Sequence, residues 1–87
     1  MTAFVVVCSF QPGTVMDEVF AVVAEEQAKV KELQEQGLLG EVKLSMARGT
    51  VFLDVFGDSP ASAASTVAQL PMAKWWDLDI YPLGGGA

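Results

Sequence analysis

Apolar positions recur with two different periods along this chain, and each change of period marks an element. Thr2 to Phe10 is rich in Val and Phe and closes at Gln11-Pro12-Gly13, which reads as a strand running into a turn. Apolar residues occupy both of its faces, so a central strand covered on both sides is expected. Thr14 follows as an N-cap, with Asp17 and Glu18 in the first turn, where the helix dipole favours acids. A long helix is expected from Val15 to Gln36, stopped by Gly37. At about 100° per residue, Val15, Val19, Val22, Val23, Val30 and Leu33 share one arc. Glu18, Glu25, Lys29, Glu32 and Gln36 lie towards the other side. Glu26 breaks the segregation: it falls inside the apolar arc, one heptad after Val19 and one before Leu33.

Gly40 to Arg48 alternates Glu41, Lys43 and Ser45 with Val42, Leu44 and Met46, the pattern of a half-buried strand. Val51 to Phe56 is a third strand, apolar on both faces except at Asp54, and the pair reads as a hairpin around Ala47 to Gly49. Gly57-Asp58-Ser59-Pro60 is a turn that opens a helix, with Ser59 as N-cap and Pro60 at the first helical position. Ala61 to Gln69 is a short helix of small residues that Pro71 ends. Trp75 to Leu83 is the last strand, and Gly84 to Ala87 a flexible tail. One domain over residues 1–87, ordered β-α-β-β-α-β, predicts an α+β, ferredoxin-like fold: a four-stranded antiparallel sheet with two helices on one face. Two such sheets placed face to face by their apolar open sides would close a dimeric α+β barrel. The alternative is a monomer with that face solvated.

Composition sharpens this picture. A chain of 87 residues supports one small core, yet 52% of it is hydrophobic, so self-association is the simple way to bury the surplus. The net charge is −6 with five Lys and Arg, which disfavours a nucleic acid or an anionic membrane surface as partner. No cationic segment precedes the first apolar run, and no run approaches the ~18–20 residues of a membrane-spanning helix. An untargeted cytoplasmic protein is expected. Cys8 is the single cysteine and sits in an apolar run, where it packs as a small hydrophobe.

Few side chains remain for chemistry. The absence of His removes His-based metal sites, triads and bases, and one Cys removes thiolate zinc sites and CxxC redox chemistry. No glycine-rich phosphate loop stands between a strand and a helix. Cofactor-free chemistry, or binding alone, is left. A carboxylate on a buried stripe has a raised proton affinity, which suits Glu26 to acid–base work. The alternatives for it are a structural ion pair, with Arg48 as partner, or a helix rotated so that it meets water. Arg48, at the end of the second strand, suits a substrate carboxylate or plain solvation. Asp54 shares a face with Thr50, Phe52 and Phe56 and lines a cavity or pairs with Lys43 across the hairpin. Trp75 and Trp76 are adjacent, so on a strand they point to opposite faces, one to a pocket and the other to an interface. Tyr81 and Ser9 add hydrogen-bonding groups.

Particular segments carry a likeness. Lys31-Glu32-Leu33-Gln34-Glu35-Gln36-Gly37 resembles the end of the long helix in the muconolactone isomerase family. Leu70-Pro71-Met72, followed by Trp75-Trp76-Asp77-Leu78-Asp79-Ile80, resembles that family's Leu-Pro-Leu lead-in to an acidic, apolar last strand. Glu26 falls on the helix Glu of the family, and Arg48 on an Arg before the third strand. The resemblance implies a dimeric barrel, assembled as far as decamers, and a pocket between sheet and helices. It also implies cofactor-independent proton transfer that shifts a double bond in an unsaturated lactone. Glu26 would be the proton-transfer group and Arg48 the carboxylate anchor, with Gln27, Asp54, Trp75, Trp76 and Tyr81 as substrate contacts. Gln27 stands where the family tends to have Lys, and Leu38-Leu39-Gly40-Glu41 replaces its basic run. Fewer cations and bulkier aromatics suggest a larger, less charged substrate. The competing readings are a cofactor-free cyclase or oxygenase on an aromatic or polyketide-like compound, and a non-catalytic ligand-binding or assembly module.

Overall fold

Residues 2–84 are described by a computed structural model, and the last three tail residues lie outside that range. Strand β1 (Thr2–Phe10) turns Phe4, Val6 and Cys8 inward and leaves Val5, Val7 and Ser9 on its other face half-buried. β1 is central, as its composition suggests, pairing antiparallel with β3 (Thr50–Gly57) on one side and β4 (Trp76–Pro82) on the other. β2 (Leu39–Ser45) completes the sheet on the outer edge of β3, giving the order β2-β3-β1-β4. Helices α2 (Val23–Glu35) and α3 (Pro60–Val67) cover one face, so the fold is α+β and ferredoxin-like. Within this chain β1 is therefore covered on one side, not both. Phe4, Val6, Leu33, Leu53, Val55 and Val67 fill the layer between sheet and helices.

The expected long helix is broken. A short α1 (Met16–Ala21) precedes α2, and Val22 between them has φ −109° and ψ 12°. The Val22 N–H bonds Val19 O at 3.1 Å, a tightened turn, before the Glu26 N–H resumes the regular ladder on Val22 O at 2.8 Å. No Gly or Pro stands there. The β-branched pair Val22-Val23, which crowds the preceding turn, is the local weak point. Thr14 does not cap: its hydroxyl donates back to Gln11 O at 2.6 Å, and Val15 holds the N-cap position.

The second strand is shorter than expected. A bulge between Leu39 and Val42 shifts its start, and Met46 to Gly49 form the connection to β3. Arg48 thus sits in a turn, its N–H on Ser45 O at 3.3 Å, and Gly49 takes a left-handed φ of +56°. The last strand begins one residue late, because Pro71–Trp75 winds into a 3-10 turn. Only Trp76 of the tryptophan pair belongs to the sheet.

The start of α3 follows its sequence closely. Ser59 accepts from the Ser62 N–H at 3.1 Å, and the Ser59 N–H donates to Ser62 Oγ at 3.0 Å, a reciprocal capping box. The Asp58 N–H also donates to Ser62 Oγ, at 2.9 Å. Gly57 permits this: a Cβ there would stand 2.5 Å from Ser62 Oγ. Ser62→Ala is expected to cost about 1 kcal/mol, lowering Tm by roughly 4–8 °C in a domain of this size. Thermal unfolding followed by circular dichroism checks it, and an unchanged Tm would remove the box as a stabilising feature.

Candidate functional site

Broken helix and bulged strand together leave a hollow on the covered side of the sheet. α1 brings Met16, Val19 and Phe20; α2 brings Val23, Glu26, Gln27 and Val30. Val42, Leu44, Met46 and Val51 rise from the hairpin, and Phe10, Met72 and Trp76 close the far wall. The cavity measures about 460 Å³, within the range of small-molecule sites. Its rim is apolar and open: Phe20 is 58% and Leu44 55% exposed. Because β2 is an edge strand that no helix covers fully, its inward-facing Val42 and Leu44 stay partly exposed beside this hollow.

Glu26 is the one carboxylate among the described lining residues, and Lys31 the one cation. Helical phase puts Glu26 there, between Val19 and Leu33 on the inward stripe, and both of those are buried. Its partner comes from the 3-10 turn. Pro71 has no N–H, so the Met72 N–H is the first free donor at that helical start. It donates to Glu26 Oε1 at 2.9 Å. Burial pushes the Glu26 carboxyl above its ordinary range, and the Met72 N–H partly opposes this by favouring the charged form. Neither an ion pair with Arg48 nor a fully solvated carboxylate describes it.

Cys8 lies beneath. Burial, and secondarily the negative charge of Glu26, raise its thiol pKa to about 12. It remains protonated and packs as a core residue.

The remaining sequence candidates separate by location. Gln27 and Trp76 line the same cavity as Glu26. Arg48 opens onto a second hollow with Val7, Ser9, Ser45, Thr50 and Phe52, on the opposite face of the sheet. One ligand within this chain cannot touch both Glu26 and Arg48. Asp54 is on that open face too, in register with Val5, while Lys43 pairs with Glu41 at 3.3 Å instead. Tyr81 is also on the open face, opposite Val5 on β1. Trp75 stands in the 3-10 turn with Lys74 Nζ 4.6 Å from its ring centroid, away from the cavity lining. Among the described residues no group of three His, Cys, Asp or Glu is placed to hold a metal ion. No helix among them is long and apolar enough to cross a membrane.

Sequence reading did not single out Met16, Phe20 or Met72 for this site. The alternation of β2 marked Val42 and Leu44 as inward-facing. Nothing local signals that a backbone N–H at residue 72 meets a carboxylate at residue 26. In comparisons with known proteins, the chain matches no family model and no curated protein sequence.

Proposed function

We propose that this protein is a cofactor-independent isomerase, moving a proton on an enolisable carbonyl compound or unsaturated lactone with Glu26 as the proton carrier. The observation that carries this reading is a single carboxyl of raised proton affinity in a mainly apolar cavity. A carboxylate so placed is a stronger base than one in water. It takes a proton from the carbon beside the carbonyl, leaving an enolate. The same carboxyl returns that proton to the far carbon of the conjugated system. The double bond has then shifted, with no net change in atoms or electrons. The segments that resemble the muconolactone isomerase family support the reading.

A second reading is favoured by the cavity wall. Its Val, Met, Phe and Trp side chains, and the position of Arg48 beyond the sheet, suit a larger uncharged compound better than a carboxylate-bearing lactone. A cyclase acting on an aromatic or polyketide-like substrate would use the same Glu26 chemistry.

The direct experiment is proton exchange in D2O, with α-angelica lactone and 1-tetralone as probes followed by NMR. Saturable, protein-catalysed deuterium uptake beside the carbonyl is expected, with double-bond migration in the lactone. Binding without exchange would reduce the protein to a ligand carrier, and neither binding nor exchange would end the proposal.

We also propose a homodimer or higher homo-oligomer formed through the open face. Val5, Val7, Phe52 and Phe56 line its centre, Asp77 and Asp79 its β4 edge, and Lys43 its β2 edge. A two-fold axis parallel to the strands lays the β4 edge of one copy over the β2 edge of the other. Sedimentation should give a species at least twice 9.3 kDa, and Phe52→Asp should return it to monomer. A monomeric wild type would remove this part of the proposal.

A further inference from the structure

Two polar groups in the cavity wall lack a full set of partners. Glu26 accepts from the Met72 N–H with one oxygen, and its other oxygen takes no hydrogen bond among the described residues. Trp76 is 5% exposed, and its indole Nε1 is buried without an acceptor. A buried N–H left unpaired is costly, and a Phe at position 76 would avoid that cost. The indole is also firmly placed. Trp76 lies opposite Phe10 in the β1–β4 register, and the rings meet edge to face with centroids 6.1 Å apart. Phe10 lines the same cavity. The surrounding wall includes Met16, Met46 and Met72, whose unbranched side chains adapt their shape.

We infer that the Trp76 indole N–H is the second polar contact of this cavity, donating to the carbonyl oxygen of an uncharged, mainly apolar, ring-bearing ketone or lactone. This deepens the proton-transfer reading and rests on it for the cavity being a ligand site. The two groups divide the work. Trp76 holds the oxygen, and Glu26 faces the acidic carbon beside it. As that carbon loses its proton, charge builds on the oxygen, where a fixed donor is worth most. The Nε1 is closed to solvent in this conformation, so a ligand oxygen reaches it by displacing flexible side chains of the wall, and no water then competes for the hydrogen bond. A neutral donor also explains why the cavity needs no arginine: it stabilises an oxygen that is uncharged in the ground state. A carboxylate-bearing ligand would lose its hydration against an apolar wall with only Lys31 as cation, so the site discriminates against it.

The test uses 1-tetralone and tetralin, which share a carbon skeleton and differ in one carbonyl oxygen. In the 15N-labelled wild-type protein, with Trp75→Phe assigning the two indole resonances, both compounds should perturb the cavity Met methyl groups. Only 1-tetralone should move the Trp76 indole N–H downfield. In the Trp75→Phe background, position 76 is then replaced by 3-benzothienylalanine, which keeps the ring shape and has sulfur in place of N–H. The affinity for 1-tetralone relative to tetralin should fall about tenfold, with tetralin binding unchanged. Tetralone binding with no indole shift, or an unchanged preference in the isostere, would overturn the role of Trp76 and leave the cavity standing as a site. Failure of both compounds to bind would overturn this inference and the proposed function together.

Discussion

Glu26→Gln is expected to slow proton exchange on an enolisable substrate by about 10²–10⁴-fold while the chain stays folded. The amide keeps an oxygen for the Met72 N–H, which Glu26 Oε1 now accepts at 2.9 Å. What it loses is basicity, so kcat should fall and the KM for an uncharged ketone should move little. The same variant carries a stability signature. Burial raises the Glu26 carboxyl above its ordinary 4.5, so the native chain binds this proton more tightly than the unfolded chain does. Stability then decreases as pH rises from that ordinary value through the raised native one, because the native state must ionise a carboxyl that burial disfavours. Glu26→Gln cannot ionise and should lack this decline. Urea unfolding of both proteins across that range measures it. A wild type whose stability does not fall relative to the variant would place the carboxylate in water. An exchange rate within a few-fold of wild type would remove Glu26 from the chemistry.

Leu33→Ala is expected to cost about 2–5 kcal/mol, a large share of the roughly 5–15 kcal/mol a native domain possesses. Leu33 is fully buried, one heptad beyond Glu26, and anchors α2 against the sheet. Its removal leaves a void that the surrounding side chains fill only in part. Leu44→Ala is the matched control. That side chain is 55% exposed at the cavity rim, so its loss should change stability by no more than about 0.5 kcal/mol. Chemical denaturation of both variants decides the matter, and similar costs at the two positions would contradict the packing described here. Leu44→Ala should instead weaken tetralin binding, since it removes part of the wall.

Much of the architecture was legible in advance because it rests on local periods. Alternation in β2 and the β-branched and aromatic apolar runs of β1 and β3 report strands, and the 3.6-residue stripe through Val19, Glu26 and Leu33 reports a helix face. Both are properties of a few neighbouring residues. The turn chemistry at Ser59-Pro60 is equally local, and it places α3 to within a residue. The stripe also pointed Glu26 inward, and Gln27 and Trp76, named beside it, line the same cavity. Thr14 is not the cap because the helix starts at Met16 with Val15 as N-cap, and the Thr14 hydroxyl turns back to donate to the carbonyl of Gln11.

Other features depend on registers and crossings that no window of sequence contains. Whether Arg48 joins Glu26 is set by the turn at Met46 to Gly49, and Arg48 opens on the opposite side of the sheet. The break at Val22 falls at the β-branched pair Val22-Val23 and lets α1 leave the line of α2. Trp75 and Trp76 look equivalent in the sequence, but the 3-10 turn after Pro71 puts only the second into the wall. That turn also delivers the Met72 N–H to Glu26, 46 residues away along the chain. Sequence alone determined the four strands, the two helical segments between them and the inward phase of one carboxyl, since each follows from backbone geometry and short-range contacts. Tertiary structure decided which polar groups share a cavity, because that depends on how distant segments pack once water is excluded between them.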